Sequence, residues 1–127
     1  MGQRSLVGWV ALIGGAGFFL VTGAWAFLEP RSFFENVARW DPYNEHFLHD
    51  VGAFQIGIGV ALLVSFKEAR GSVVALAGAA GAALFHALSH FMDSGEGGRA
   101  TDPISLTVFA VLLLAGLWFE WRRAPRQ

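Results

Sequence analysis

The chain has 127 residues, 54% of them hydrophobic, nine basic against ten acidic side chains, and no cysteine. Disulfides, thiolate metal centres and cysteine nucleophiles are therefore excluded, and without a basic patch interleaved with aromatics nucleic acid is not an expected partner. The length suits a single domain, but the apolar fraction lies above the usual range for soluble globular proteins, so the lipid bilayer is the first solvent to consider.

Crossing the hydrocarbon core as a helix takes about 20 mostly apolar residues. Four segments meet that need. Leu6 to Leu28 carries no charge. Its "AWA" at 24–26 is like a signal-peptidase site, yet the apolar run is longer than a signal-peptide core, so it is expected to remain as the first span. "MGQRSL" misses the myristoylation pattern at Leu6, and no lipid anchor is expected. In "RSFFENVARWDPYNEH", Phe33, Phe34, Val37 and Trp40 recur near helical spacing between Pro30 and Pro42. That pattern predicts an interfacial helix, placed to act as a lid.

Val51 to Phe66 is apolar apart from Gln55 and Ser65. It is short for a span, so its helix is expected to start earlier, with His46 to Asp50 as polar opening turns. Ser72 to Phe91 is rich in alanine and glycine, with His86 and His90 near its end. "DSGEGGRATD" reads as a mobile loop, with Asp102 capping a helix that begins at Pro103. Ile104 to Phe119 completes the set. The predicted fold is an all-α integral membrane protein, residues 1–127 forming one four-transmembrane-helix bundle with spans near 6–28, 47–66, 72–92 and 103–121. A short interfacial helix lies between the first two.

Four spans put both termini and the 67–71 turn on one side. That side holds Arg4, Lys67, Arg70, Arg122, Arg123 and Arg126, against Arg31, Arg39 and Arg99 opposite. The excess of positive charge predicts cytoplasmic termini in a multi-pass protein of the plasma (inner) membrane. Trp25, Trp40, Tyr43, Trp118 and Trp121 fall near span ends, as interfacial belts do. Glycines 14, 15 and 17 and the alanine–glycine run of the third span read as close-packing surfaces.

All four histidines then fall at the extracytoplasmic face. On a helix, His46, His49 and Asp50 share one side of the second span, while His86, His90 and Asp93 form a stripe on the third. The intervening turn, "KEARGS", is short, so the two helices are expected to be antiparallel neighbours with their stripes facing. By phase Gln55 points away from His49. Imidazole with carboxylate suits zinc, copper or iron, and ionisable groups in a span turn inward. The predicted metal ligands are His49, Asp50, His86 and His90, with His46 and Asp93 as spare or supporting groups. Glu45 is a further spare, though on its own it is a surface acid. Neither "EHFLHD" nor "HALSH" is the HExxH pattern.

Other readings stay open. The histidines would also serve as solvated helix ends. Haem is the alternative cofactor, held by His49 with His86 or His90, with Gly52, Gly57, Gly78 and Gly81 leaving room for the ring. A quinone or lipid site would be lined by Phe18, Phe19, Phe54 and Phe85. Whether the protein is an enzyme or an accessory subunit, alone, as a homo-oligomer or in a larger membrane complex, is not decided by these residues.

The proline-terminated first span, "AFLEPRSFF", followed by the glycine-rich second span, "VGAFQIGIGVALL", and two further spans resembles the small bacterial four-helix membrane proteins related to DoxX. The resemblance implies a membrane setting and a lean toward respiratory, quinone-linked redox roles. It does not supply the "NEHFLHD" and "HALSH" motifs.

Overall fold

The computed structural model describes residues 4–124. Arg126 and the "MGQ" of the N-terminal motif lie outside them. In chain order the elements are α1 (Leu6–Leu28), α2 (Pro30–Asn36), α3 (Glu45–Val64), a 3-10 turn (Ser65–Lys67), α4 (Ala69–Met92) and α5 (Asp102–Arg123). Among the described residues there is no strand. Four helices are long and apolar enough to cross a membrane, and no more than 39% of any span is buried inside the protein. Most of their apolar surface therefore faces outward, including Phe54, Val74 and Phe85, as suits helices that stand in a lipid bilayer. The chain is a multi-pass membrane protein built as a four-helix bundle.

Local chemistry sets the helix starts. Ser5 Oγ accepts from Gly8 N at 3.0 Å, and Asn44 Oδ1 accepts from Phe47 N at 3.0 Å, each satisfying one of the unpaired amides of a first turn. The second cap starts α3 at Glu45, so His46 to Asp50 do form its polar opening turns. The interfacial helix α2 is present but shorter than its apolar pattern predicts. Arg39 Nε donates to Glu35 O at 2.7 Å and Arg99 Nη2 to Asn36 O, so side chains take carbonyls that a further turn would have used. Val37 and Trp40 lie beyond its end.

The packing order differs from the expectation of paired second and third spans. α1 lies against α3, α4 lies against α5, and the two hairpins join along α1 and α5, while α3 and α4 touch sparsely. Glycine placement explains this. A Cβ on Gly52 would sit 2.7 Å from Gly23 O and 2.8 Å from Phe27 N, and one on Gly59 would sit 2.6 Å from Leu20 Cγ. These contacts bring the α1 and α3 backbones together, a dispersion-driven approach that larger residues forbid. Gly15 meets Leu113, and Gly116 meets Ala11, between α1 and α5. Alanines 79, 80 and 83 pack with Leu76, Ala110 and Leu113 in the central core. Gly14, Gly17, Gly57, Gly78 and Gly81 have open space where a side chain would be, so close packing accounts for Gly15 but not for its neighbours.

One polar contact crosses the α1–α3 seam at depth. The Thr22 hydroxyl lies between Phe18 O, at 2.7 Å, and Gln55 Oε1. Gln55 and His49 both find partners on α1, at the two edges of the face centred on Gly52, although helical phase alone sets them apart.

At the end away from the termini, the 93–101 loop is fastened rather than loose. Arg99 Nη2 donates to Asn36 O at 2.5 Å, and Gly98 N donates to Arg39 O at 3.2 Å. Gly98 has φ +73, a conformation that favours glycine. Asp102 does not cap α5. Its Oδ2 accepts from Arg99 N at 2.8 Å, bracing the loop, and the helix already starts at Asp102 itself.

Candidate functional site

The i, i+4 spacing of His86 and His90 puts both rings on one side of α4's last turns. Their Nε2 atoms lie 3.2 Å apart, with ring centroids at 4.9 Å. In the neutral pair one imidazole N–H donates to the other ring's nitrogen. The indole of Trp40 stands edge-on to His90 at 5.5 Å, delivered by the segment that follows α2. Space for that indole comes from the loop: Cβ atoms on Gly97 and Gly98 would fall within 3.2 and 3.1 Å of the Trp40 ring. His90 is half-buried beneath it, and His86 is exposed. The dyad thus has two nitrogens converging on one point and open sides around them.

The α3 residues form a separate group. His46 Nε2 lies 3.6 Å from Asp50 Oδ2, and both side chains are exposed. His49 turns toward α1, where its ring packs on Phe27 at 5.3 Å. Tyr43 donates to Glu45 Oε2 at 3.4 Å and lies beneath the Arg31 guanidinium. Loss of water around Tyr43, and then the Glu45 carboxylate, raise its phenol above the ordinary value of 10.0. Asp93 is exposed and ends α4, its carbonyl accepting from Glu96 N at 2.9 Å.

His49, Asp50, His86 and His90 are therefore not gathered into one cluster. Among the described residues no three histidine, aspartate or glutamate side chains converge. The cause lies in the fold: α3 spends its close-packing face on α1, which draws His49 to Phe27, and Trp40 packs against His90 on α4. The glycines named for a haem ring also divide. Gly52 is filled by Gly23 and Phe27, whereas Gly57, Gly78 and Gly81 are open. Of the aromatic set named for quinone, Phe18 and Phe19 pack with Phe109, at 4.3 and 5.7 Å, while Phe54 and Phe85 are exposed.

A second polar cluster, at the opposite end of the bundle, was not apparent from sequence patterns. Glu120 is fully buried in α5. Arg4 Nε lies 3.5 Å from its Oε2, and Arg123 Nη1 donates to its Oε1 at 3.4 Å. Arg4 Nη2 also donates to Ser72 Oγ at 2.8 Å, and Ser72 in turn donates to Ser65 O at 2.8 Å. One network thus ties the segment that leads into α1 to α4, α5 and the 3-10 turn. Gly8 gives Glu120 its place, since a Cβ there would overlap the Oε1 oxygen. The only sequence signal was a lone acid among tryptophans and arginines in "LWFEWRR", with Arg4 on the same side of the membrane.

Comparison with protein-family models, curated proteins and solved structures finds no match, so the site rests on its own geometry.

Proposed function

We propose that this protein is a plasma-membrane protein with cytoplasmic termini that binds a transition-metal ion at its extracytoplasmic face through His86 and His90. The orientation follows the excess of lysine and arginine on the terminal side. The observation that carries the metal reading is the 3.2 Å between the two Nε2 atoms. Zinc–imidazole bonds of about 2.0–2.1 Å meeting at a tetrahedral angle span roughly 3.3 Å between nitrogens. The dyad supports chelation with little movement of either ring. Haem ligation by the same pair is disfavoured, because axial ligands must approach the iron from opposite faces.

Two ligands from one helix leave further coordination positions for water, substrate or a partner's side chain, which is the character of an exchangeable or catalytic site and not of a closed structural one. Zinc would supply Lewis-acid chemistry there; copper or iron would supply the redox chemistry that the DoxX resemblance implies. His49, Asp50 and the spare groups His46, Glu45 and Asp93 lie on the same face, so the four-ligand set would require the ends of α3 and α4 to draw together.

The test is a titration of tag-free protein in mild detergent with Zn²⁺ and with Cu²⁺ against a chromophoric chelator. The wild type is expected to take one ion per chain, and His86→Ala with His90→Ala to weaken binding at least tenfold. Binding should fade as the solution is acidified, because a ligating imidazole must be unprotonated. A parallel His49→Ala, Asp50→Ala variant separates the dyad from the larger set. Retained binding there places the ion on α4 alone, and lost binding brings α3 into the site. Equal binding by wild type and the α4 double variant would end the proposal.

A further inference from the structure

We infer that the terminal end of α5 carries a binding site for one anionic phospholipid, its acyl chain along an apolar groove and its phosphate on Arg122. Leu114, Leu117, Trp118 and Trp121 recur at i, i+3, i+4 and i+7, so they share one face of α5. Together they line an open groove of about 350 Å³ whose walls are almost wholly apolar. Trp118 and Trp121 are more than half exposed, and they project from a helix that crosses the membrane. Lipid is the occupant that this setting supplies.

Charge makes the site selective. Arg122 and Arg123 are adjacent but do different work. Arg123 turns to the buried Glu120, together with Arg4, so its charge is spent within the bundle. Arg122 instead holds its guanidinium over the Trp118 ring, 4.3 Å from the centroid. The contact fixes a cation at the mouth of the groove, at the level where tryptophan side chains meet lipid headgroups. Arg122 is exposed, and a planar guanidinium recognises phosphate through paired hydrogen bonds. An anionic headgroup there gains this contact without the opposing positive charge that a zwitterionic headgroup carries. The inference needs only the membrane setting and is independent of the metal proposal.

The test uses the full chain in phosphatidylcholine nanodiscs, with Trp9, Trp25 and Trp40 replaced by phenylalanine so that Trp118 and Trp121 report. Fluorescence quenching by phosphatidylglycerol with brominated chains is compared with quenching by equally brominated phosphatidylcholine at the same mole fraction. About five-fold stronger quenching by the anionic lipid is expected, the preference that one interfacial arginine confers. Arg122→Gln should abolish the preference, Arg39→Gln at the other face should leave it intact, and soluble glycerol phosphate should not compete. Where the triple variant fails to fold, the wild type minus Trp118→Phe/Trp121→Phe difference gives the same comparison. Equal quenching by the two lipids, a preference that survives Arg122→Gln, or displacement by glycerol phosphate would each overturn the inference.

Discussion

Arg4→Leu is expected to destabilise the folded protein by about 3–5 kcal/mol, and adding Glu120→Leu to recover most of that loss. Glu120 is fully buried, its carboxylate seated in the space that Gly8 leaves open. Without Arg4 it keeps, among the described contacts, Arg123, whose side chain is partly exposed and reaches it at 3.4 Å. A buried charge that loses its partner retains the full cost of desolvation, whereas a pair replaced by apolar side chains of similar size loses the attraction and the desolvation cost together. The pair is also imperfectly satisfied, since Arg4 Nη1 and Glu120 Oε2 make no hydrogen bond among the described residues. Unfolding in mixed micelles of rising denaturing-detergent content, run as a double-mutant cycle, measures the coupling directly. If the double variant is no more stable than Arg4→Leu alone, Glu120 is not relying on Arg4.

This clasp illustrates where sequence reading stops. The four spans were legible because hydrocarbon demands long apolar runs, and α1 was read to its observed ends, Leu6–Leu28. The polar opening of α3 was legible for the same reason, since Val51 to Phe66 was too short alone. Partner choice was not. Hydropathy marks which residues avoid water, but in lipid every apolar face is equally content, so it does not say which helix packs on which. That choice lay in Gly23, Gly52 and Gly59, whose role depends on the register between two helices. The histidine site followed suit: the i, i+4 dyad of α4 is a local feature and could be read, while its meeting with α3 required a tertiary contact that the glycine seam gave to α1. Trp40 shows the same limit, because its helical spacing suggested a place on α2, and side-chain bonds to the Glu35 and Asn36 carbonyls end that helix first.

Gly52→Leu is the sharper test of that seam. The atoms that block a side chain at position 52 are Gly23 O and Phe27 N, both backbone, with Phe27 Cβ at 2.9 Å. Overpacking a core commonly costs about 1–3 kcal/mol when neighbouring side chains can rotate away. Here no rotation helps, so α1 and α3 must separate, and a loss of about 3 kcal/mol or more is expected. Gly57→Leu on the same helix meets open space, and replacing a helical glycine there should leave stability unchanged or raise it by up to about 1 kcal/mol. Because both variants add the same apolar bulk to one span, a difference between them isolates the helix contact from any change in membrane insertion. Separation would also draw Phe27 from the His49 ring, while the His86–His90 dyad, on the other hairpin, should still bind metal in whatever fraction remains folded. Thermal unfolding in detergent, read beside a metal titration of the same samples, distinguishes these consequences. Equal stability of the two variants would mean that α1 and α3 do not meet backbone to backbone, and the account of why α3 leaves α4 would fail with it.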